Sequence, residues 1–237
     1  MLKNPTRSNS NRNRLLEALP AKTKKQLLSK SESFELKFGD VIYEPDDVIG
    51  DVYFPVSGII SILSTIDKRS LLEVGMVGNE GMAGLPIFLG VERAGNRAIV
   101  QGKGAAVKIK PRDFLDECER NGHLSRLLRR YTHSFLTQIS QSAACNRFHK
   151  LDARLARWLL MTHDRMGADE FRLTQDFLSH MLGVRREAVT LAAQGLQKDN
   201  LISYRRGKLK IVNRSGLEAV SCQCYSITFN EERNVFS

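Results

Sequence analysis

The sequence predicts an α+β chain built from an N-terminal antiparallel β-roll of jelly-roll type, one long helix, and a C-terminal helix–turn–helix closed by a β-hairpin. Three observations carry that prediction. Between Phe34 and Lys110, short runs of Val, Ile, Phe and Tyr alternate with glycine, proline and aspartate. From His123 to His149 neither proline nor glycine interrupts apolar residues spaced by threes and fours. Between Thr174 and Val212 a small residue, a glycine and an aliphatic fall where two helices meet at a tight turn.

The 237 residues, 42% hydrophobic and 26% charged, have room for one large or two modest domains with real cores. No apolar run approaches the roughly 18 residues of a membrane span. Met1 to Arg14 is polar and basic, so no secretory signal is expected and the expected compartment is the cytoplasm. Lys and Arg outnumber Asp and Glu by 36 to 26, a net +10, which fits a polyanionic partner; with no membrane-spanning run, no membrane partner is expected.

Residues 1–14 read as a flexible tail. Leu15, Leu16, Leu19, Leu27 and Leu28 then suggest helical turns broken at Pro20. Strands are expected at Asp40–Tyr43, Val52–Phe54, Gly58–Leu63, Leu71–Val77, Arg97–Val100 and Ala105–Ile109, closing a roll. Glycines 39, 58, 75 and 78 stand where tight turns would need positive φ. Pro111 opens a helix. In the long helix, about 123–149, Leu124, Leu128, Tyr131, Phe135, Ile139 (or Gln138) and Ser142 form a seam. Its length makes Leu124, Leu128, Tyr131, Phe135 and Ile139 the expected interface with a second copy; the alternative is a helix that simply covers the roll. Lys150-Leu-Asp152 marks a hinge, with Asp152 capping a helix from Ala153 to Met166 that Gly167 ends. The expected division is a sensor unit over 15–150 and a second domain over 151–237.

The most informative stretch starts at Thr174, an N-cap candidate. Leu178 and Leu182 are buried neighbours, Ser179 allows close helix approach, Gly183 makes the turn, and Val184 and Val189 pin a second helix starting near Arg185. That helix offers Arg185, Arg186, Glu187 and Thr190 to base edges and phosphates, with Thr174 and Gln175 on the preceding helix. Arg205, Arg206 and Lys208 form the basic tip of the hairpin. From Arg185 to Arg214 eight cations face Glu187 and Asp199, a net +6 that points to double-stranded DNA.

A glycine-punctuated roll, a long helix and this winged helix-turn-helix resemble the Crp/Fnr family of transcription regulators over roughly Leu15 to Val220. The most specific parts are Gly183-Val-Arg-Arg-Glu-Ala-Val189 with Leu196–Ile202, and Gly39-Asp-Val-Ile-Tyr43 with Val56-Ser-Gly58. The resemblance implies a homodimer joined along the long helix, a palindromic operator, RNA polymerase as a further partner, and no enzymatic activity. On the family motif, Arg186 and Glu187 match a base-reading pair and Arg185 a residue near phosphate. Leu191 falls where well-known members carry another base-reading arginine, so a different operator is expected.

Family members that bind cyclic nucleotides hold ribose with a Gly-Glu pair and phosphate with an Arg-Ser/Thr-Ala run. Here the matching residues are Gly78, Glu80, Gly81 and Met82, then Asn96, Arg97 and Ala98. Glu80 comes one place late, and Asn96 stands where the phosphate arginine belongs. A one-residue shift in a strand turns Arg97 to the opposite face. Cyclic AMP or GMP is therefore the alternative effector rather than the expected one, and no cofactor is expected. No cysteine precedes Cys118, against a family-type iron–sulfur cluster, and no His or Cys lies between Phe34 and Lys110 to hold haem. The same absence argues against a metal-dependent barrel enzyme, and no hydrolase elbow or phosphate-binding glycine loop is present. His123, His133, His149, His163 and His180 read as helix-surface or interface residues. Cys118, Cys145, Cys222 and Cys224 are too few and too scattered for a disulfide framework. Cys222-Gln-Cys224 lacks a nearby His or Cys to complete four ligands, so reduced thiols and no metal are expected. A cyclic-nucleotide-like interaction module without DNA binding is the remaining rival; the basic hairpin counts against it.

Overall fold

The computed structural model describes residues 12–65 and 71–237. Residues 1–11 of the expected tail lie outside them, but the last part of that tail belongs to the fold. Asn13 is buried; its amide donates to Pro55 O (2.9 Å) and Gly81 O (2.8 Å), and its Oδ1 accepts from Leu16 N at 3.2 Å. It thereby caps α1 (Arg14–Glu17) and ties it to the roll. Helix α2 (Ala21–Ser29) follows Pro20.

The roll consists of β1 (Ser31–Leu36), β2 (Val41–Tyr43), β3 (Val52–Thr65), β4 (Leu71–Val77), the short α3 (Leu85–Phe88) and β5 (Arg97–Ile109). All pairings are antiparallel, in the order β1-β5-β3-β4, with β2 also on β5. The sequence splits β3 and β5 into two strands each, whereas both are continuous and bend at register shifts around Ser57–Ile60. Glycine makes that bend possible: Gly58 has φ +82°, and a Cβ on Gly104 would lie 2.3 Å from Ser57 O. Gly39 also has positive φ, but Gly75 and Gly78 do not. They are small because neighbours need the space: a Cβ on Gly75 would meet the Phe135 ring at 2.8 Å, and one on Gly78 the Arg165 side chain at 2.7 Å.

Helix α4 (Pro111–Arg120) leads through Asn121, whose Oδ1 accepts from His123 N and Leu124 N, into α5 (Gly122–Phe148). The expected seam on α5 is largely used within the chain. Leu124, Leu128 and Tyr131 are buried in the roll core with Phe54, Phe114 and Ile109, and Phe135 packs against them. The three-and-four spacing is satisfied by side chains of the roll and of α4, which corrects the assignment of Leu124, Leu128 and Tyr131 to a second copy. The stripe left open lies one position round the helix, through Leu136 (56% exposed), half-buried Ile139 and exposed Ala143.

Helix α6 (Leu151–Met166) starts without a side-chain cap; Asp152 lies in its first turn rather than at its N-cap. Gly167, φ +63°, ends it. Then come β6 (Glu170–Arg172), α7 (Gln175–Leu182), α8 (Arg186–Lys198), β7 (Ile202–Arg205), β8 (Lys208–Ile211), α9 (Arg214–Val220) and α10 (Cys224–Asn234). The second core gathers Leu155, Leu159, Leu178, Val189, Leu196 and Leu209, and it includes Ile59, Leu63 and Met76 from the roll. Helix α6 is therefore shared between the two halves.

The expected boundary at 151 is also crossed by the C-terminus. Helix α10 packs along α5, Val235 and Phe236 join the roll core, and Arg130 Nη2 donates to Asn234 O and Ser237 O, both at 2.6 Å. The cysteines are not scattered in space either. Cys145, Cys222 and Cys224 form one buried cluster at the end of α5, with His149 beside them.

Candidate nucleic-acid interface

Thr174 Oγ1 accepts from Phe177 N at 3.0 Å, capping α7. At the other end Gly183 has φ +62°, and Val184 N returns to Ser179 O at 3.0 Å, closing the helix with a left-handed residue. Glycine is needed there twice over, because a Cβ would also stand 2.8 Å from Leu72 Cδ1 on the roll. Leu178 and Leu182 on α7 pack with Val189, Ala192, Ala193 and Leu196 on α8, fixing the angle between the helices. Phe177 adds a contact to Phe38 across the domains, with ring centroids 5.3 Å apart.

Burying that face leaves the opposite face of α8 in solvent. Arg185, Arg186 and Glu187 are exposed at its N-terminus, and Leu191 is 69% exposed one turn on. Thr190 is half-buried; its hydroxyl lies 3.0 Å from Gln175 Oε1, linking α8 to the start of α7. Arg186 Nη1 stands 3.5 Å from Asp176 Oδ1, an exposed pair that contributes little and leaves the guanidinium free to turn outward. The first peptide N–H groups of α8 point the same way, adding partial positive charge at that end.

The hairpin is a two-residue turn at Arg206 (φ +49°) and Gly207 (φ +74°), the positive pair that matches strand twist. It lifts Arg205, Arg206 and Lys208 into solvent beside α8. Tyr204 sets its position: its hydroxyl donates to Leu173 O and its N–H to Gln197 Oε1, each at 2.8 Å. Burial pushes the Tyr204 phenol up to about 12, so it stays protonated as a donor. Sequence reasoning passed over Tyr204 and Gln197, although an aromatic residue inside an otherwise basic hairpin was the available signal. A third strand, β6, which the sequence does not announce, pairs with β8. Arg214, counted among the eight cations, lies apart from the others. It pairs with Asp164 (2.7 Å) and Glu218 (2.9 Å) and braces α9.

The expected effector residues come together, but side chains of the same chain pack against them. Glu80 is buried; it accepts from Arg165 Nε at 2.8 Å and from Gly78 N at 3.0 Å. Tyr131 donates to Met82 O at 3.0 Å, and a Cβ on Gly81 would lie 2.4 Å from its hydroxyl. Ala98 and Val100 face the core, while Arg97 lies on the other face of β5, ion-paired with Glu44 at 3.1 Å. Asn96 turns its amide toward Leu63 O.

Residues 153–220 match the model of the Crp-like helix-turn-helix domain. No curated protein matches the chain by sequence. Among solved structures it is similar to FixK2 from Bradyrhizobium japonicum, with 16% identity and a TM-score of 0.69 over 81% of this chain and 98% of that one. It is similar to CLP of Xanthomonas campestris, described as a c-di-GMP responsive global regulator, at 18% identity and TM-score 0.65 over 81% and 99%. A Crp/Fnr-family transcriptional regulator from Thermus thermophilus aligns at 20% identity and TM-score 0.63 over 80% and 98%. No helix among the described residues is long and apolar enough to cross a membrane. Roll, long helix and C-terminal unit thus have the fold of the Crp/Fnr transcriptional regulators, and residues 153–220 are a Crp-like helix-turn-helix domain.

Proposed function

We propose that the chain is a homodimeric, sequence-specific DNA-binding transcription regulator of Crp/Fnr type, without enzymatic activity, that reads a palindromic operator. One observation carries this reading: the first turn of α8, with Arg185, Arg186 and Glu187, stands exposed next to the basic turn at Arg205, Arg206 and Lys208. A helix end of that kind fits a major groove, with the hairpin on the adjoining phosphates. Arg186 and Glu187 read bases, Leu191 offers an apolar contact to a thymine methyl, and Thr174 and Gln175 flank the phosphates. RNA polymerase is the further partner this reading implies, and the cytoplasm its compartment.

The dimer joins along the open stripe of α5 at Leu136, Ile139 and Ala143, with Phe135 at its edge. On this reading the effector is a ligand other than cyclic AMP or GMP, with a cyclic-nucleotide-responsive regulator as the alternative. Supporting this, Tyr131 and Arg165 already bond Met82 O and Glu80, and Arg97 pairs with Glu44, away from the roll core. Selection of bound sequences from random duplexes tests the reading: a palindrome should emerge, and Arg186→Ala should lose the preference at its position. Recovery of no consensus, or an unchanged one in R186A, would overturn it. Adding cyclic AMP should leave the affinity unchanged.

A further inference from the structure

Cys145 and His149 lie four residues apart at the end of α5, so their side chains share a face. The turn between α9 and α10 brings Cys222 and Cys224 against them. Cys145 Sγ is 3.4 Å from Cys222 Sγ, and Cys224 Sγ is 3.6 Å from His149 Nδ1. One ligand atom from each of the four residues lies within 4.8 Å of all the others. Metal bonds of about 2.3 Å to sulfur and about 2.0 Å to nitrogen place tetrahedral ligand atoms roughly 3.5–3.8 Å apart. The 3.4 and 3.6 Å separations match a single ion's shell, and the remaining ones, at most 4.8 Å, need to close by only about 1 Å. An iron–sulfur cube holds its thiolates wider, roughly 6 Å apart. Three thiols and an imidazole are soft to borderline donors, unsuited to magnesium or calcium and suited to zinc.

The surroundings point the same way. Arg154 and Arg157 on α6 flank the thiols, and the buried Nε of each has no hydrogen-bond partner among the described residues. Two guanidiniums beside uncharged thiols are poorly compensated, whereas beside a thiolate–metal centre they are matched. We propose that Cys145, His149, Cys222 and Cys224 form a Cys3His site for one zinc-class divalent ion. On binding, the three S–H bonds are exchanged for S–metal bonds and three protons leave to solvent. Neutral His149 gives its Nδ1 lone pair, and the centre carries a net −1 that partly offsets the two arginines. Half-exposed His149 is the side from which an ion enters. The site pins the C-terminal segment to the end of α5. Arg154 also donates to Leu182 O, the last residue of α7, so it links the centre to the helix-turn-helix.

Metal analysis of the full chain, purified under reducing conditions, tests this without reference to DNA. After chelation, titration with Zn2+ should restore one equivalent per chain. Co2+ should give the intense visible bands of a tetrahedral, thiolate-bound ion. Cys222→Ser and His149→Ala should each weaken zinc affinity at least tenfold, while Cys118→Ser, distant from the cluster, should not change it. Binding of no zinc, an octahedral cobalt spectrum, or unchanged affinity in C222S and H149A would overturn the assignment. If the variants fail to fold, the unaltered chain decides. Blocking its thiols with a mercurial should release one zinc in step with three thiols, and release out of step, or none, refutes the site.

Discussion

Arg165 is the residue whose loss should be felt most. It is buried, donating Nε to Glu80 Oε1 (2.8 Å), Nη2 to Glu232 Oε2 (3.2 Å) and Nη1 to Met161 O (3.1 Å). One guanidinium thus joins the roll, α6 and the C-terminal helix. Arg165→Met keeps the packing of the side-chain stem but leaves Glu80 with only Gly78 N, and Glu232 with Arg14 at 2.7 Å. Removing one partner from a buried pair costs about 3–5 kcal/mol. That cost should depend on pH. Burial and the nearby Glu80 already push Glu232 up to about 7. A carboxyl raised in the folded state binds its proton more tightly there than when unfolded, so stability declines as pH rises from the ordinary carboxylate range through 7. Without Arg165 the Glu232 carboxyl should rise further, and at about 1.4 kcal/mol per unit protonation should recover roughly half the loss near pH 5.5. Urea unfolding at fixed protein concentration, at pH 8 and 5.5, reads both effects, and Glu80→Gln in the R165M background should restore about 1–3 kcal/mol. A loss below about 1 kcal/mol at pH 8, or an equal loss at the two pH values, would refute this account.

Arg186→Ala and Glu187→Ala should each cost about 1–3 kcal/mol on operator DNA and relax the preference at one position, as read by mobility shift on variant duplexes. Arg205→Ala or Lys208→Ala should instead weaken all sequences alike and reduce the salt slope by about 1 each; a sequence-selective loss contradicts their assignment to phosphates. Leu136→Glu or Ile139→Glu should give monomers by light scattering with the fold intact, because both side chains lie on the open stripe, whereas Leu128→Glu should unfold the roll. Glu73→Gln should stabilise the protein by about 1–3 kcal/mol at pH 8 and by little near pH 5. Burial pushes Glu73 up to about 7 although Trp158 Nε1 donates to it at 2.8 Å, so the ionised form carries a penalty that rising pH exposes and the amide does not have. Equal stability of the E73Q and unaltered proteins at pH 8 in thermal melts would count against it.

What could be read along the chain is what depends on near neighbours in sequence. The N-cap at Thr174, the left-handed Gly183 and the Leu178–Leu182 pair involve residues a few positions apart, and local geometry admits few substitutes for them. Register is local in the same sense, so the one-place shift at Asn96–Arg97 correctly turned Arg97 to the outer face of β5, where Glu44 holds it. Gly75 and Gly78 show where this stops, since their smallness answers to Phe135 and Arg165, distant in sequence, and carries no turn signal. The seam of α5 shows a subtler failure: a three-and-four stripe states that a helix face is apolar, not what covers it. Leu124, Leu128 and Tyr131 are claimed by the roll and only the neighbouring stripe through Leu136 is left open.

Pairings made across the whole chain have no periodicity at all. Asn13 meets Gly81, Arg14 meets Glu232, and Cys145 meets Cys222. Each belongs to the return of a terminus onto the roll or the long helix, and together they hold the parts that local patterns define separately. That division has a mechanical consequence. The helix-turn-helix is specified locally and keeps its shape by itself, but its placement rests on α6, on Arg165 between Glu80 and Glu232, and on the cysteine cluster beside Arg154. On the proposed DNA-binding reading, a change at those contacts should shift α8 relative to the roll without altering Arg185, Arg186 or Glu187 themselves.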